Sequence, residues 1–211
     1  MQTATFGADV KVGHVDGMAQ HLLRIRGRVT GEFLPDRGRV LEIGAGEATF
    51  DRKECEYIGI NISLRGSPSF LGDGQALPFR DGTFDAVVAT EVIEHVRYPY
   101  RLLREIRRVL RPGGHVLLST PNVAIPANRI ALAVFGLFPD DRTLHEEPDV
   151  GHIHFFTRRS LLEAVGKEGF RIVREWDFLL QFGPHRYLAD TSLERILRNH
   201  TKQIMLDLVP R

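Results

Sequence analysis

The sequence predicts a doubly wound α/β fold, a mostly parallel sheet with helices on both faces. Three observations carry that expectation. Short apolar runs suited to buried strands alternate with longer stretches of helical period. The first strong strand ends in the glycine turn Gly44-Ala45-Gly46, a strand exit that lets backbone bend tightly beside a ligand. The 211 residues, 43% hydrophobic and 26% charged, can bury one sizeable core, and no Ser/Gly-rich linker or charge block divides them. The expectation is therefore one Rossmann-like domain over 1–211.

In chain order, "GMAQHLLRIRGRV" places Met18, Leu22, Leu23 and Ile25 near helical spacing, which predicts an amphipathic helix over 14–28. "GRVLEIGAG" is a strand ending in glycines, "EYIGINIS" a second, and "SFLGD" a short third. "FDAVVAT" and "HVLLSTPN" are the fourth and fifth. Between them, "RLLREIRRVLRPGG" is a helix with Leu102, Leu103, Ile106, Val109 and Leu110 inward, stopped at Pro112-Gly113-Gly114. "TRRSLLEAVGKEGF" reads as a helix and "RIVREWDFLLQF" as a strand. A long insertion, 121–156, lies between the fifth strand and that helix, where lids and specificity elements are often found. The tail, 191–211, shows a broken helical stripe of Leu193, Ile196, Leu197, Ile204, Met205 and Leu208, expected to dock on the core. Its last residues, "LVPR", resemble the remnant of a cleavable tag and are expected to carry little structural weight; separately, the final antiparallel strand stays open because little sequence follows "DFLLQF".

Composition narrows the function classes. With 28 basic against 27 acidic residues, the formal charge of +1 demands neither a nucleic-acid nor a membrane partner. The one cysteine, Cys55, cannot make an internal disulfide, which fits a cytoplasmic setting. No stretch reads as a secretory signal, and the longest apolar run, Ile130–Phe138, is too short for a transmembrane segment.

The chemistry-bearing motifs gather after strands. Gly44 and Gly46 follow the first, and Thr49 stands where a dinucleotide fingerprint wants a third glycine, which disfavours a pyrophosphate cofactor. In "GDGQALPF", the Asp73 carboxylate can accept from an exocyclic amine while the Gly74 amide meets a ring nitrogen, a pair able to read an adenine edge. "VLEIGAG", "GDGQALPF", "FDAVVATEVIEHV", "LREIRRVLRPGGHVLLSTPN" and "GHIHFFTRRSLLEAVGKEGF", in that order, resemble class I S-adenosylmethionine-dependent methyltransferases of the type 11/23 kind, over roughly Arg39 to Val173. The resemblance implies that Glu42, Gly44, Ala45 and Gly46 flank the methionine half of S-adenosyl-L-methionine. It implies Asp73 and Gly74 at adenine, and Ala89, Thr90 and Glu91 near the sulfonium. Two departures stand out. Asn61 occupies the place where the family carries a ribose-binding acid, and the link "GEATFDRKECEY" holds little more than a turn or two where the family has a full helix.

"TEVIEHV", Thr90–Val96, packs Glu91, Glu94 and His95 into five positions, neighbours on one face if the backbone is helical. One reading has Glu94 and His95 bracing the following helix. The other is a divalent-metal site for Mg2+ or Mn2+, the imidazole shifting preference toward Mn2+, Fe2+, Co2+ or Zn2+. "EVIEH" resembles an element of metal-using O-methyltransferases of the ubiquinone pathway and of small-RNA terminal 2′-O-methyltransferases. In the RNA group a further histidine precedes a Thr-Arg pair by five residues, the spacing of His152 to Thr157, with His154 the competitor. Without metal, His95 or His152 is a candidate general base. The reading that follows is O-methylation of a small-molecule or glycan/lipid-linked acceptor. The alternatives are a catalytically degenerate cofactor-binding module and an RNA 2′-O-methyltransferase. Nucleic acid is disfavoured by the acidic "PDDRTLHEEPD" in the insertion, since phosphates call for Lys and Arg.

Overall fold

Two strands, β1 (Ala4–Phe6) and β2 (Val10–His14), precede α1 (Met18–Phe33). Then come β3 (Arg37–Ile43), β4 (Glu54–Asn61), the two-residue β5 (Phe70–Leu71) and β6 (Phe84–Thr90). Next are α2 (Pro99–Val109), β7 (Leu110–Pro121), α3 (Pro126–Phe135), α4 (Arg158–Lys167) and β8 (Phe170–Phe182). β9 (Arg186–Ala189), a 3-10 turn (Arg198–His200) and β10 (Thr201–Pro210) complete the order. The structure is a computed structural model and describes residues 4–6, 10–14, 18–46, 50, 52–64, 68–138, 151–182, 186–189 and 198–211.

The ten strands of the described residues form one sheet in the order β1-β2-β9-β8-β10-β7-β6-β3-β4-β5. β3 pairs parallel with both β4 and β6, β4 with β5, and β6 with β7. β10 runs antiparallel between β7 and β8. The seven strands β3 to β8 and β10 thus make a mostly parallel Rossmann-like sheet with an antiparallel final strand. Strand order reverses between β3 and β6, which opens a crevice outside their carboxyl ends.

The helices cover the two faces unequally. α2 buries Leu102, Leu103, Ile106 and Val109, and α4 buries Leu161, Ala164 and Val165, against Leu41, Val87, Val116, Leu118 and Ile204. Among the described helices, α1 lays Ile25 and Val29 over Val40, Ala86, Val88, Leu117 and Met205 on the other face. The α4 start is held by a capping box between Thr157 and Ser160.

Several expectations need correction. The helix expected over 14–28 runs from Met18 to Phe33, and His14 belongs to β2. The tail is a strand rather than a helical stripe: Ile204, Met205, Leu206, Leu208 and Val209 are buried between β7 and β8. Leu193, Ile196 and Leu197 lie outside the described residues. "LVPR" is the end of this central strand, with Pro210 paired to Phe170 and the Arg211 amide donating to the Gly169 carbonyl. The apolar half of the insertion forms α3, but none of its residues is buried, and Val134 and Phe135 are 65% and 68% exposed. The acidic "PDDRTLHEEPD" lies outside the described residues. No helix among the described residues is long and apolar enough to cross a membrane.

Candidate active site

At the reversal point a cavity of about 260 Å3 is lined by Glu42, Gly44, Gly46 and Thr90, by Phe50, and by Leu23, Arg26, Gly27 and Thr30 of α1. Glycine is required at Gly44, where φ is +75° and a Cβ would come within 2.5 Å of Val92 Cγ2. Ala45 is buried, and its amide donates to the Ile60 carbonyl at 2.9 Å, fastening the glycine turn to β4. Glu42 is 7% exposed and accepts a hydrogen bond from the Tyr57 hydroxyl. Burial raises its carboxyl to about 7, partly opposed by the Arg52 guanidinium. Of the short link, the described Phe50 and Arg52 both meet the Tyr57 ring. Phe50 meets the Tyr57 ring edge-on, and Arg52 lies over that ring at 3.8 Å.

The segment after β5 is pinned from behind. Arg108 of α2 donates to the carbonyls of Leu77 and Phe79 and to Glu105 and Asp81. Glu105 in turn accepts from the Leu77 amide at 2.8 Å. This frame presents Asp73, whose carboxylate accepts from the amide and side chain of Gln75. Gly74 is buried, and a Cβ there would meet Ile43 at 2.7 Å and Leu102 at 2.9 Å, so the backbone must pass close to the core. Asn61, at the end of β4, donates from Nδ2 to the Ala45 carbonyl at 3.2 Å and accepts from the Ile62 amide at 2.8 Å.

"TEVIEHV" is a turn and not a helix, because Glu91 adopts φ +57°. The Glu91 carboxylate is engaged by partners of its own. Glu91 Oε1 accepts from Ser119 Oγ at 2.8 Å and Gln203 Nε2 at 2.7 Å, while Oε2 lies 3.6 Å from Arg26. The expected four-residue convergence is therefore three: one ligand atom each of Glu94, His95 and His152 lie within 4.8 Å of one another. Segment 151–154 is clasped to the turn, since the amides of Ile153 and His154 both donate to the Glu94 carbonyl. His95 Nδ1 is 3.3 Å from the Gly151 carbonyl. His154 lies outside the group, its Nε2 3.4 Å from the Arg97 carbonyl. Glu94 is 1% exposed. Its Oε2 accepts from Thr120 Oγ1 at 3.1 Å, while its Oε1 has no partner among the described residues. Burial, and then Glu91 nearby, push the Glu94 carboxyl well above its ordinary range.

Sequence reasoning missed Arg26, Phe50 and Gln203. Leu22, Ile25 and Val29 fix the inward face of α1, and the pattern locates Arg26 beside it without saying which cavity it enters.

The sheet order and the position of the crevice define the architecture of nucleoside-dependent methyl transfer enzymes. A methyltransferase of Thermotoga maritima, described as S-adenosylmethionine-dependent and a possible histamine N-methyltransferase, has this fold, with a TM-score of 0.64, 18% identity and coverage of 93% of this chain and 94% of that one. An S-adenosylmethionine-dependent methyltransferase of Mesorhizobium loti superposes with a TM-score of 0.58 at 18% identity, over 93% of this chain and 99% of that one. Residues 16–175 match the family model of a methyltransferase domain, and the chain belongs to that family. A stretch of 102 residues is 36% identical to an uncharacterized methyltransferase of Mycobacterium sp. (strain KMS), covering 42% of this chain and 40% of that protein. Another of 96 residues is 52% identical to an uncharacterized methyltransferase of Mycolicibacterium gilvum, covering 38% of each. The chain thus spans about 40% of the length of the curated relatives it matches.

Proposed function

We propose that this chain transfers the methyl group of S-adenosyl-L-methionine to a hydroxyl of a small-molecule or glycan/lipid-linked acceptor, in a cytoplasmic setting. The observation that carries the reading is the adjacency of two features at one sheet edge. The crevice lined by Glu42, Gly44, Gly46 and Thr90 is next to a second polar group, Glu94, His95 and His152. The first suits the methionine half of the cofactor, and Asn61, Asp73 and Gly74, which follow β4 and β5 at the same edge, are the residues assigned to ribose and adenine. The second suits the acceptor.

Glu94, His95 and His152 also suit a divalent cation. One carboxylate oxygen and two imidazole nitrogens favour Mn2+, Fe2+, Co2+ or Zn2+ over Mg2+. The unpartnered Glu94 Oε1 supports the fit, as does the His95 Nδ1 contact with a backbone carbonyl, the usual way a ligating imidazole is oriented. A bound ion there would lower the pKa of an acceptor hydroxyl by Lewis-acid polarisation. The protein's own part is to hold the acceptor oxygen in line with the crevice and to shield it from water. Without an ion, His95 or His152 takes the hydroxyl proton as general base. The exposed apolar residues of α3, which follows β7 at this edge, support an acceptor with a hydrophobic portion.

The test is calorimetry with S-adenosylhomocysteine, followed by release of that product from S-adenosylmethionine with hydroxyl-bearing acceptors, with and without chelator. Saturable binding, and turnover abolished by chelator and restored by Mn2+, is the expected result. No binding at millimolar ligand would sink the proposal. Full turnover in excess chelator would leave the two histidines as bases only.

A further inference from the structure

The head of β10 carries a cation that the fold itself does not use. Lys202 is partly buried, and among the described residues no hydrogen bond or ion pair holds its ammonium. Burial pushes that ammonium below the ordinary lysine range, and no charge among the described residues opposes the shift. Lysines are rarely taken out of water without a partner, and such exceptions call for an explanation. The carboxylates of this edge are committed elsewhere. Glu91 is bonded to Ser119 and Gln203 and lies near Arg26, and the charges acting on Glu94 are those of Glu91 and Arg26. Two residues before Lys202, His200 Nδ1 is likewise buried without a partner among the described residues.

Sheet register decides which face Lys202 serves. Ile204 stands opposite Thr120 of β7, whose hydroxyl donates to Glu94. Alternate residues of a strand share a face, so Lys202 lies with Ile204, which packs in one cluster with Leu102 of α2 and Leu161 of α4. Gln203 takes the other face, where its amide reaches Glu91. Backbone bonds then carry the wall from Lys202 round to the histidines. The Asn122 amide donates to the Lys202 carbonyl at 2.8 Å, and Asn122 is bridged to Phe156. The amides of Ile153 and His154, in the same segment as Phe156, donate to the Glu94 carbonyl. Lys202 and Phe156 are thus the outer two of three adjacent backbones, about 10 Å apart at ordinary strand spacing. A small acceptor can span that gap, with its reacting hydroxyl at one end and a second group at the other.

An ammonium has three donors and no acceptor, so the group that completes it is an oxygen-rich anion. We propose that Lys202 binds an oxyanion, a phosphate or a carboxylate, on the methyl acceptor whose hydroxyl meets Glu94, His95 and His152. The proposal rests on the methyl-transfer reading given above and narrows its acceptor to an acidic one. It also accounts for the bare amine, since a site for an anion stays unpaired until the anion arrives.

The experiment uses inorganic phosphate and acetate as probes, each against chloride at equal ionic strength, on wild type, Lys202→Met and Lys202→Arg. At about ten times its dissociation constant, the preferred probe should raise the wild-type melting temperature by about 2–5 °C. It should also slow trace acetylation of Lys202, read by peptide mass spectrometry, by about tenfold. Lys202→Met keeps the stem and drops the charge. It should melt no lower than wild type in chloride and lose the response to both probes, while Lys202→Arg keeps part of it. Its affinity for S-adenosylhomocysteine should stay within about twofold of wild type. A larger response to phosphate assigns a phosphate-bearing acceptor, and a larger response to acetate a carboxylate. No response in wild type, or an equal response in Lys202→Met, would overturn the proposal. So would a Lys202→Met protein that melts well below wild type in chloride, because the lysine then serves the fold. Acetylation of wild type decides the matter without any variant. If wild type binds no S-adenosylhomocysteine while phosphate still protects Lys202, the cofactor reading fails and the anion site stands.

Discussion

Two cavities share α1 as a wall and are nearly equal in volume, about 260 Å3 at the carboxyl edge of the sheet and about 250 Å3 at the amino edge. Each is lined by at least one carboxylate and a basic side chain, and the amino-edge cavity even contains a His–Asp pair. The two edges differ in whether the buried polar side chains around the cavities are satisfied. At the amino edge His115 Nδ1 is 2.8 Å from Asp207 Oδ1. There too, Asp85 accepts from Arg111 at 2.5 Å and from the Arg39 amide at 2.7 Å, and Arg174 lies over the Trp176 ring at 4.5 Å. At the carboxyl edge the pairing is unfinished. Among the described residues, the buried side-chain atoms without a partner are Glu94 Oε1, Gln203 Oε1 and His200 Nδ1, all at that end of the sheet. A strained Glu91 and a carboxyl at Glu42 raised to about 7 accompany them. Buried polar groups are normally paired, so a cluster of exceptions marks a place kept for a ligand. A histidine beside an aspartate in a cavity, with its bond already made, does not.

The sharpest way to break the comparison is to remove one histidine from each edge of the sheet. His152→Ala should lower turnover by about 10²–10⁴-fold, the range for loss of a catalytic proton-transfer group. Affinity for S-adenosylhomocysteine should stay within about twofold. His115→Ala should leave turnover unchanged. Equal damage from the two substitutions, measured as kcat, would end the distinction.

Next in size is the pH dependence of stability set by Glu42. Its carboxyl is raised from 4.5 to about 7 in the folded protein, so the folded state holds the proton more tightly than the unfolded one. Its contribution is therefore fully present below about pH 4.5 and is lost as pH rises toward about 7, for a change of about 3 kcal/mol. Denaturant titrations at pH 5 and pH 8 should show that loss in wild type and not in Glu42→Gln. A ligand ammonium that meets Glu42 should also release a proton on binding near pH 7, read as a buffer-dependent binding enthalpy. An identical pH profile in the variant would reject the role of burial here.

Smaller is the effect expected at the paired edge. Burial raises the Asp207 carboxyl, with the bond to His115 opposing the shift. Asp207→Ala removes that bond and should cost about 1–3 kcal/mol of stability. Affinity for S-adenosylhomocysteine should not move, and a change of tenfold would show that the two edges communicate.

The same contrast explains what the sequence could and could not reveal. α2 was legible because Leu102, Leu103, Ile106 and Val109 repeat at helical spacing on one buried face. Gly44 was legible because a tight strand exit restricts which residue can stand there. β10 was not, because a central strand buried on both faces shows a nearly continuous apolar run, Ile204-Met205-Leu206 and Leu208-Val209, without the alternation that marks a strand. Glu91 was misplaced for another reason. An E-x-x-E-H spacing brings carboxylates together only on a helix, and one residue at φ +57° breaks that geometry. Arg26 and Gln203 were invisible because no local pattern tells which polar side chain on a buried element reaches a site built from distant strands.

The smallest expected effect concerns Asn61, which belongs to the ligand edge but is bonded like the residues of the other. Its amide already spends Nδ2 on the Ala45 carbonyl and Oδ1 on the Ile62 amide. Asn61→Asp keeps the second bond and loses the first, setting a carboxylate against a carbonyl oxygen that anchors the glycine turn. The loss should cost about 1 kcal/mol of stability. In exchange, the charged oxygen can take stronger bonds from the two ribose hydroxyls. The gain falls on the nucleoside part and the loss on the turn that holds the methionine part, so the two should separate by ligand. Adenosine should bind a few-fold tighter to the variant, while S-adenosylhomocysteine should change by less than about threefold, a difference below 1 kcal/mol. Parallel titrations of the two ligands decide it. A tenfold gain for S-adenosylhomocysteine would mean that the Asn61–Ala45 bond does nothing for the glycine turn. Tenfold weakening of adenosine would place the ribose away from Asn61.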